Sequence, residues 1–189
     1  MLRKVLFCCF PVLFAALAWS ETPSFKGEVY GAYSYTSPNF HDEGSGENGW
    51  NAGAAVNATR WISLKADFAQ YRYTYTRLCC PHDHSTTTTY LFGPQFSVPS
   101  TVPWIRPFVQ LLIGRAHIDY ANLAGTPSYN QTTSVALDLG GGLDLRLSHH
   151  FWLRGEADYL HNHFTINDSQ VPRPPTSHAR VVTGIVFRF

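Results

Sequence analysis

Arg180-Val-Val-Thr-Gly-Ile-Val-Phe-Arg-Phe189, the last ten residues of the sequence, decide the fold. Alternate positions place Val181, Thr183, Ile185, Phe187 and Phe189 on one face, and Arg180, Val182, Gly184, Val186 and Arg188 on the other. A period of two is a strand signal. In water such a strand buries its aromatic face and shows its arginines to solvent. With lipid outside a closed sheet the sides are reversed, aromatics outward and arginines toward a polar interior.

Working back from this stretch, the same alternation predicts seven further strands: Phe25–Tyr35, Trp50–Ala58, Trp61–Tyr75, Thr86–Val98, Trp104–Tyr120, Thr132–Ser148 and one starting at Phe151. The sixth is the clearest, with Val135, Leu137, Leu139, Leu143, Leu145 and Leu147 in one phase and Asp138, Gly140, Gly142, Asp144 and Arg146 in the other. Pro94 removes a ladder donor from the fourth. The gaps alternate in length. Ser37–Gly49, Arg77–Ser85, the link between the fifth and sixth strands and Ile166–Ser177 read as long polar loops, whereas the links between them are short. Long loops therefore gather at one end and both termini at the other, the asymmetry of an even-stranded antiparallel membrane barrel. Trp61, Trp104, the Phe151-Trp152 pair, Phe96 and Phe189 fall at the short-turn end. Tyr35, Tyr71, Tyr73, Tyr90, Tyr120 and Tyr159 fall toward the other, giving two aromatic levels. By strict alternation, Trp61 and Trp152 are in the phase of the charges.

Charges opposing the apolar phase are Lys26, Lys65, Arg146, Arg154, Arg180 and Arg188 against Glu28, Asp67, Asp138, Asp144, Glu156 and Asp158. An eight-stranded barrel is just wide enough for side chains to fill. Six bases and six acids inside it would have to pair, so the sequence predicts a salt-bridged, closed lumen. A soluble barrel of the lipocalin type would instead bury this charged phase in its core, at high cost.

Composition narrows the function classes. The formal net charge is +1 with no basic run, which argues against a nucleic-acid binder. Mean hydropathy of −0.14 would suggest a soluble chain, but alternating strands cancel in any such average. Residues 1–20 read as a cleaved signal peptide: Arg3 and Lys4, an apolar run from Val5 to Ala16, and small residues at Ala16, Ala18 and Ser20. Cys8 and Cys9 leave with it. Residues 21–189 would then form the barrel.

Glu28-Val-Tyr-Gly-Ala-Tyr-Ser-Tyr35, Leu139-Gly-Gly-Gly-Leu-Asp-Leu-Arg-Leu147, Leu153-Arg-Gly-Glu-Ala-Asp-Tyr159 and Gly184-Ile-Val-Phe-Arg-Phe189 resemble the outer-membrane β-barrel family of OmpA/OmpX-like, porin-like domains. The resemblance covers the mature chain. It implies an all-β, eight-stranded antiparallel up-and-down transmembrane barrel in a Gram-negative outer membrane, in contact with lipid and lipopolysaccharide. It also implies that Phe187 and Phe189 form the closing-strand signal read by the barrel assembly machinery. It is specific for fold and membrane and open on activity, because that scaffold carries anchors, adhesins, small pores and lipid enzymes.

Two motifs carry possible chemistry. Cys79-Cys80-Pro-His82-Asp-His84 has the ligands for zinc or copper, with His41, His117, His161, His163 and His178 toward the same end. The plainer reading is a surface loop with adjacent cysteines oxidised. Asp158 with His161-Asn-His163-Phe-Thr165 is the nearest match to the His-x-Ser motif of lipid A deacylases, and no serine stands two residues after either histidine. The expectation is a structural or surface-interaction barrel, not an enzyme and without a cofactor, whose long loops meet an extracellular partner. A narrow porin-like channel and a deacylase-like enzyme are the alternatives.

Overall fold

The computed structural model describes residues 25–37, 46–77, 80–98, 100–121, 131–162 and 177–189. Eight strands run in order: β1 Gly27–Ser37, β2 Glu47–Asn57, β3 Ile62–Arg77, β4 Cys80–Ser97, β5 Ile105–Ala121, β6 Gln131–Arg146, β7 Phe151–Asn162 and β8 Ser177–Arg188. Each pairs antiparallel with the next, and β8 returns to β1, closing the barrel. No helix among the described residues is long and apolar enough to cross a membrane. The signal-peptide reading falls on residues outside the described set.

Alternation shapes the wall. Along β7 every residue from Phe151 to Asn162 switches between exposed and buried. The exposed phase is apolar: Leu64, Phe92, Val109, Leu111, Ile113, Leu137, Leu139, Leu143 and Ile185 all stand outward. Polar and charged side chains fill the inside. For a closed sheet in lipid this is the stable arrangement, because every backbone group is paired within the wall and only hydrocarbon faces the acyl chains.

The strand boundaries differ from the sequence reading in an informative place. Residues Arg77–Ser85, read as a loop, are mostly sheet: β4 begins at Cys80 and pairs with β3 as far out as Arg77↔Cys80. The register shifts between Tyr75 and Thr76, so that Tyr75 faces Asp83 and Thr76 faces Pro81. His82 is the extra residue of this bulge. Proline and aspartate signal a turn, but the facing aromatic and β-branched run Tyr73-Thr-Tyr-Thr76 favours continued pairing. Pro94 does not break β4. Its pairing to β5 lapses next to the proline and resumes in the same register, Phe92↔Ile113 before it and Gln95↔Gln110 after it.

The aromatic levels are corrected in two positions. Trp152 and Tyr71 lie inside the barrel, only 7% and 1% exposed. Both fall on the inward phase of their strands, so alternation overrides the preference of their ring types for the lipid surface. Outside, Trp50 packs on Phe68 and Phe68 on Tyr90, at ring separations of 5.3 and 5.1 Å. Phe151, Phe187 and Phe189 pack together at the short-turn end, with centroids 5.3 and 6.3 Å apart.

Candidate functional site

The filled lumen is the most developed chemical feature, and it is layered. Near the short-turn end, Arg154 on β7 donates through Nε and Nη2 to Asp144 at 2.8 and 2.9 Å, and through Nη2 to Glu28 at 2.7 Å. Arg188 on β8 donates to the other Glu28 oxygen at 2.9 Å and also to Asp144. Two guanidiniums and two carboxylates thus form a closed ring. Above it, Arg154 lies 5.1 Å from the Tyr30 ring and 4.6 Å from the Phe108 ring, and Lys65 Nζ lies 4.7 and 5.9 Å from the same rings. This aromatic layer separates the ring from a second cluster and adds cation–π attraction to both.

Arg180 organises the second cluster. It reaches Asp158 at 2.9 Å, Asp138 at 2.9 Å, Asp67 at 3.2 Å and Glu156 at 3.5 Å, and donates to Tyr71 Oη at 3.3 Å. Lys65 Nζ donates to Glu156 at 3.0 Å and to Gln110 Oε1 at 2.8 Å. Farther toward the long-loop end, Leu91, Leu112, Ala116, Ala136 and Leu160 fill the lumen with an apolar layer.

Ten of the twelve groups read from the sequence are buried here: Glu28, Lys65, Asp67, Asp138, Asp144, Arg154, Glu156, Asp158, Arg180 and Arg188. Lys26 and Arg146 are not; both are exposed at the short-turn end. Lys26 precedes β1, and Arg146, the last residue of β6, stands beside the turn into β7. Arg146 turns instead to the Ser148 carbonyl at 3.3 Å and to His149. The buried tally is therefore four bases against six acids, unlike the even count read from the sequence.

Neutral donors make up part of the difference. Tyr30 Oη and Asn51 Nδ2 donate to Asp67, and Gln110 Nε2 donates to Glu156 at 2.7 Å, Asp158 at 3.1 Å and Asp138 at 3.4 Å. Sequence reasoning passed over Asn51, Gln110, Tyr30 and Tyr71 because charge was the signal followed; their inward phase marked them. Glycine makes room. A Cβ on Gly140, directly across from Asp158, would overlap its carboxyl, and one on Gly53 would overlap the Tyr30 phenol.

The other candidate sites fall partly outside the described residues. Cys79 lies outside them; Cys80, His82 and His84 belong to the outer end of β4. Among the described residues no cluster of potential metal ligands forms. His117 meets Thr133 at 2.9 Å and Asp119 at 3.2 Å, and His161 meets Ser177 at 2.9 Å. Asp158 and His161 lie on opposite faces of β7, the acid buried on Arg180 and the histidine exposed, so this acid does not orient that base. His163 and Thr165 are outside the described residues.

A family model for the outer membrane protein beta-barrel domain matches residues 5–184. The chain belongs to this family. Solved structures agree in fold. Neisserial surface protein A superposes with a TM-score of 0.64 at 11% identity, over 86% of this chain and 96% of that one. Ail, the attachment invasion locus protein of Yersinia pestis, solved with the heparin analogue sucrose octasulfate, gives 0.56 at 14% identity over 86% and 96%. The N-terminal β-barrel domain of Pseudomonas aeruginosa OprF gives 0.50 at 14% over 87% and 98%. No curated protein matches the chain at the sequence level. As a member of the family, the chain is a transmembrane barrel of the bacterial outer membrane, with its apolar exterior embedded in lipid.

Proposed function

We propose that this barrel is a closed membrane anchor that presents a raised sheet to the outside for surface interaction. The observation that carries the reading is the unequal height of the wall. A membrane-crossing strand needs about 9–11 residues. Among the described residues, β1, β2, β7 and β8 have 11, 11, 12 and 12, whereas β3, β4, β5 and β6 have 16, 18, 17 and 16. The surplus lies on neighbouring strands at the long-loop end, and there the outer face turns polar: Arg72 and Arg115 are exposed, and His117 and Asp119 half-exposed. Such a surface suits water better than acyl chains. With the short turns facing the periplasm, the two tall hairpins project beyond the membrane on one side.

The barrel belongs to the same fold as Ail, named for attachment and invasion and solved with a sulfated sugar. That supports a surface role for the scaffold, while the partner depends on this chain's own hairpins. In this reading Phe187 and Phe189 also serve the outer-membrane assembly machinery. Both rings face outward at the edge where β8 closes on β1.

The test compares cells displaying the intact barrel with cells displaying one whose β3–β4 hairpin is shortened to the Arg72–Thr86 rung. Adhesion to matrix-coated surfaces is expected to fall while membrane level and boil-sensitive gel mobility stay unchanged. Equal adhesion by both, together with discrete conductance steps in planar bilayers, would favour the narrow channel instead.

A further inference from the structure

We propose that the short-turn mouth of the barrel binds a small organic anion, a carboxylate or phosphate head on an apolar body, with Arg106 as the principal ligand of the head group. A cavity of about 510 Å³ opens there, walled by Arg60, Arg106, Trp61 and Ile105 over a floor of Arg188 and Trp152.

The argument begins with charge. Glu28 and Asp144 are each bonded to both Arg154 and Arg188. They are also the carboxylates that act electrostatically on Arg106. At this end three guanidiniums therefore share two carboxylates and one positive charge is left over locally, while the acid excess of the lumen lies around Arg180, beyond the aromatic layer. Among the described residues, Arg106 meets only neutral oxygens: Nε donates to Ser97 Oγ at 2.9 Å and Nη2 to the Arg60 carbonyl at 3.4 Å. Arg60 adds a second cation on the wall, its guanidinium 4.4 Å above the Trp61 ring.

The floor adds two donors without acceptors. Among the described residues, Trp152 Nε1 and Arg188 Nη1 are buried and have no hydrogen-bond partner, although Arg188 lies against the indole, 4.3 Å from its ring. Buried donors are nearly always satisfied, and both of these are acceptor-seeking groups beside a surplus cation. A carboxylate or phosphate answers the charge and, with a small shift of the indole, the donors, because guanidinium forks bind either group bidentately. Size and lining specify the rest. One water takes up about 30 Å³, so an inorganic ion fills little of the cavity, while Trp61, Trp152 and Ile105 offer apolar contact to an attached body.

The test uses the mature chain folded in maltoside micelles at low salt, titrated with phenyl phosphate, benzoate and inorganic phosphate. Tryptophan indole N–H resonances are followed by NMR, with Trp152 assigned through Trp152→Phe. A saturable shift of the Trp152 signal is expected with both organic anions, at least fivefold tighter than with inorganic phosphate. Arg106→Gln is expected to weaken it tenfold or more, and Arg106→Lys less. Absence of a saturable shift, equal affinity for inorganic phosphate, or an unchanged affinity in folded Arg106→Gln would each overturn the proposal. If Arg106→Gln loses its boil-sensitive mobility, salt dependence of the unmodified barrel decides: tenfold weaker binding at high ionic strength is expected, and salt-independent affinity overturns it.

Discussion

Arg180 meets four carboxylates and a tyrosine hydroxyl, and its substitution exposes what the lumen costs. Arg180→Ala is expected to lower stability by at least about 3–5 kcal/mol, because removing one partner leaves buried charges uncompensated. The urea midpoint of the folded barrel in micelles is the readout. Gly140→Val is expected to cost about 1–3 kcal/mol by the same measure, through overpacking against Asp158. Glu28 on β1 and Arg188 on β8 were legible from alternation, and the rung they form across the seam holds even Arg188, the last residue of its strand, to the inward face. Lys26 was misread because it lies before β1, and Arg146 because the turn after β6 offers it the Ser148 carbonyl. Period-two logic assigns a face only while neighbours hold the backbone extended, and it has no content past the last rung. Gln110 and Asn51 were open to the same logic as Glu28, but a neutral amide gives no sign of its importance until a carboxylate is seen to need it.

At the scale of elements, the β3–β4 hairpin and β8 make different demands on the fold. Excising residues 74–84 is expected to leave a boil-sensitive barrel with nearly unchanged urea resistance, because Tyr73 and Ser85 become a two-residue turn and the rungs from Arg72↔Thr86 inward are untouched. β8 has no such slack. The Phe189 carbonyl accepts from Lys26 N at 2.7 Å and Gly27 N at 3.1 Å, tying the chain end to the start of β1. Deleting Phe189 removes those bonds and the ring, whereas Phe189→Ala removes the ring alone. Unassisted refolding into micelles is expected to suffer more from the deletion, and assembly in cells to suffer from both; folded yield on unboiled gels separates the two. All eight strands were visible in the sequence, and the outer ends of β5 and β6 to within one residue, whereas β4 begins six residues before its expected start. Turn residues such as Pro81 and Asp83 act locally, while the pairing that overrides them comes from β3 across the hairpin.

For the whole molecule, the paired ring, the Arg180 cluster and the apolar layer stack along one axis and leave side chains where a channel would need water. No discrete conductance is expected from the intact barrel in planar bilayers, and steps of reproducible size would refute this. Glu28 and Arg188 stand across the seam where the first strand meets the last, 160 residues apart in the chain. Closing that seam one residue out of step would turn the inward side chains of the joining strand, ions included, into hydrocarbon. Closing it two residues out would keep every side chain on its proper face, yet set Glu28 against Val186. The barrel's closure is thereby checked twice, once by parity and once by partner.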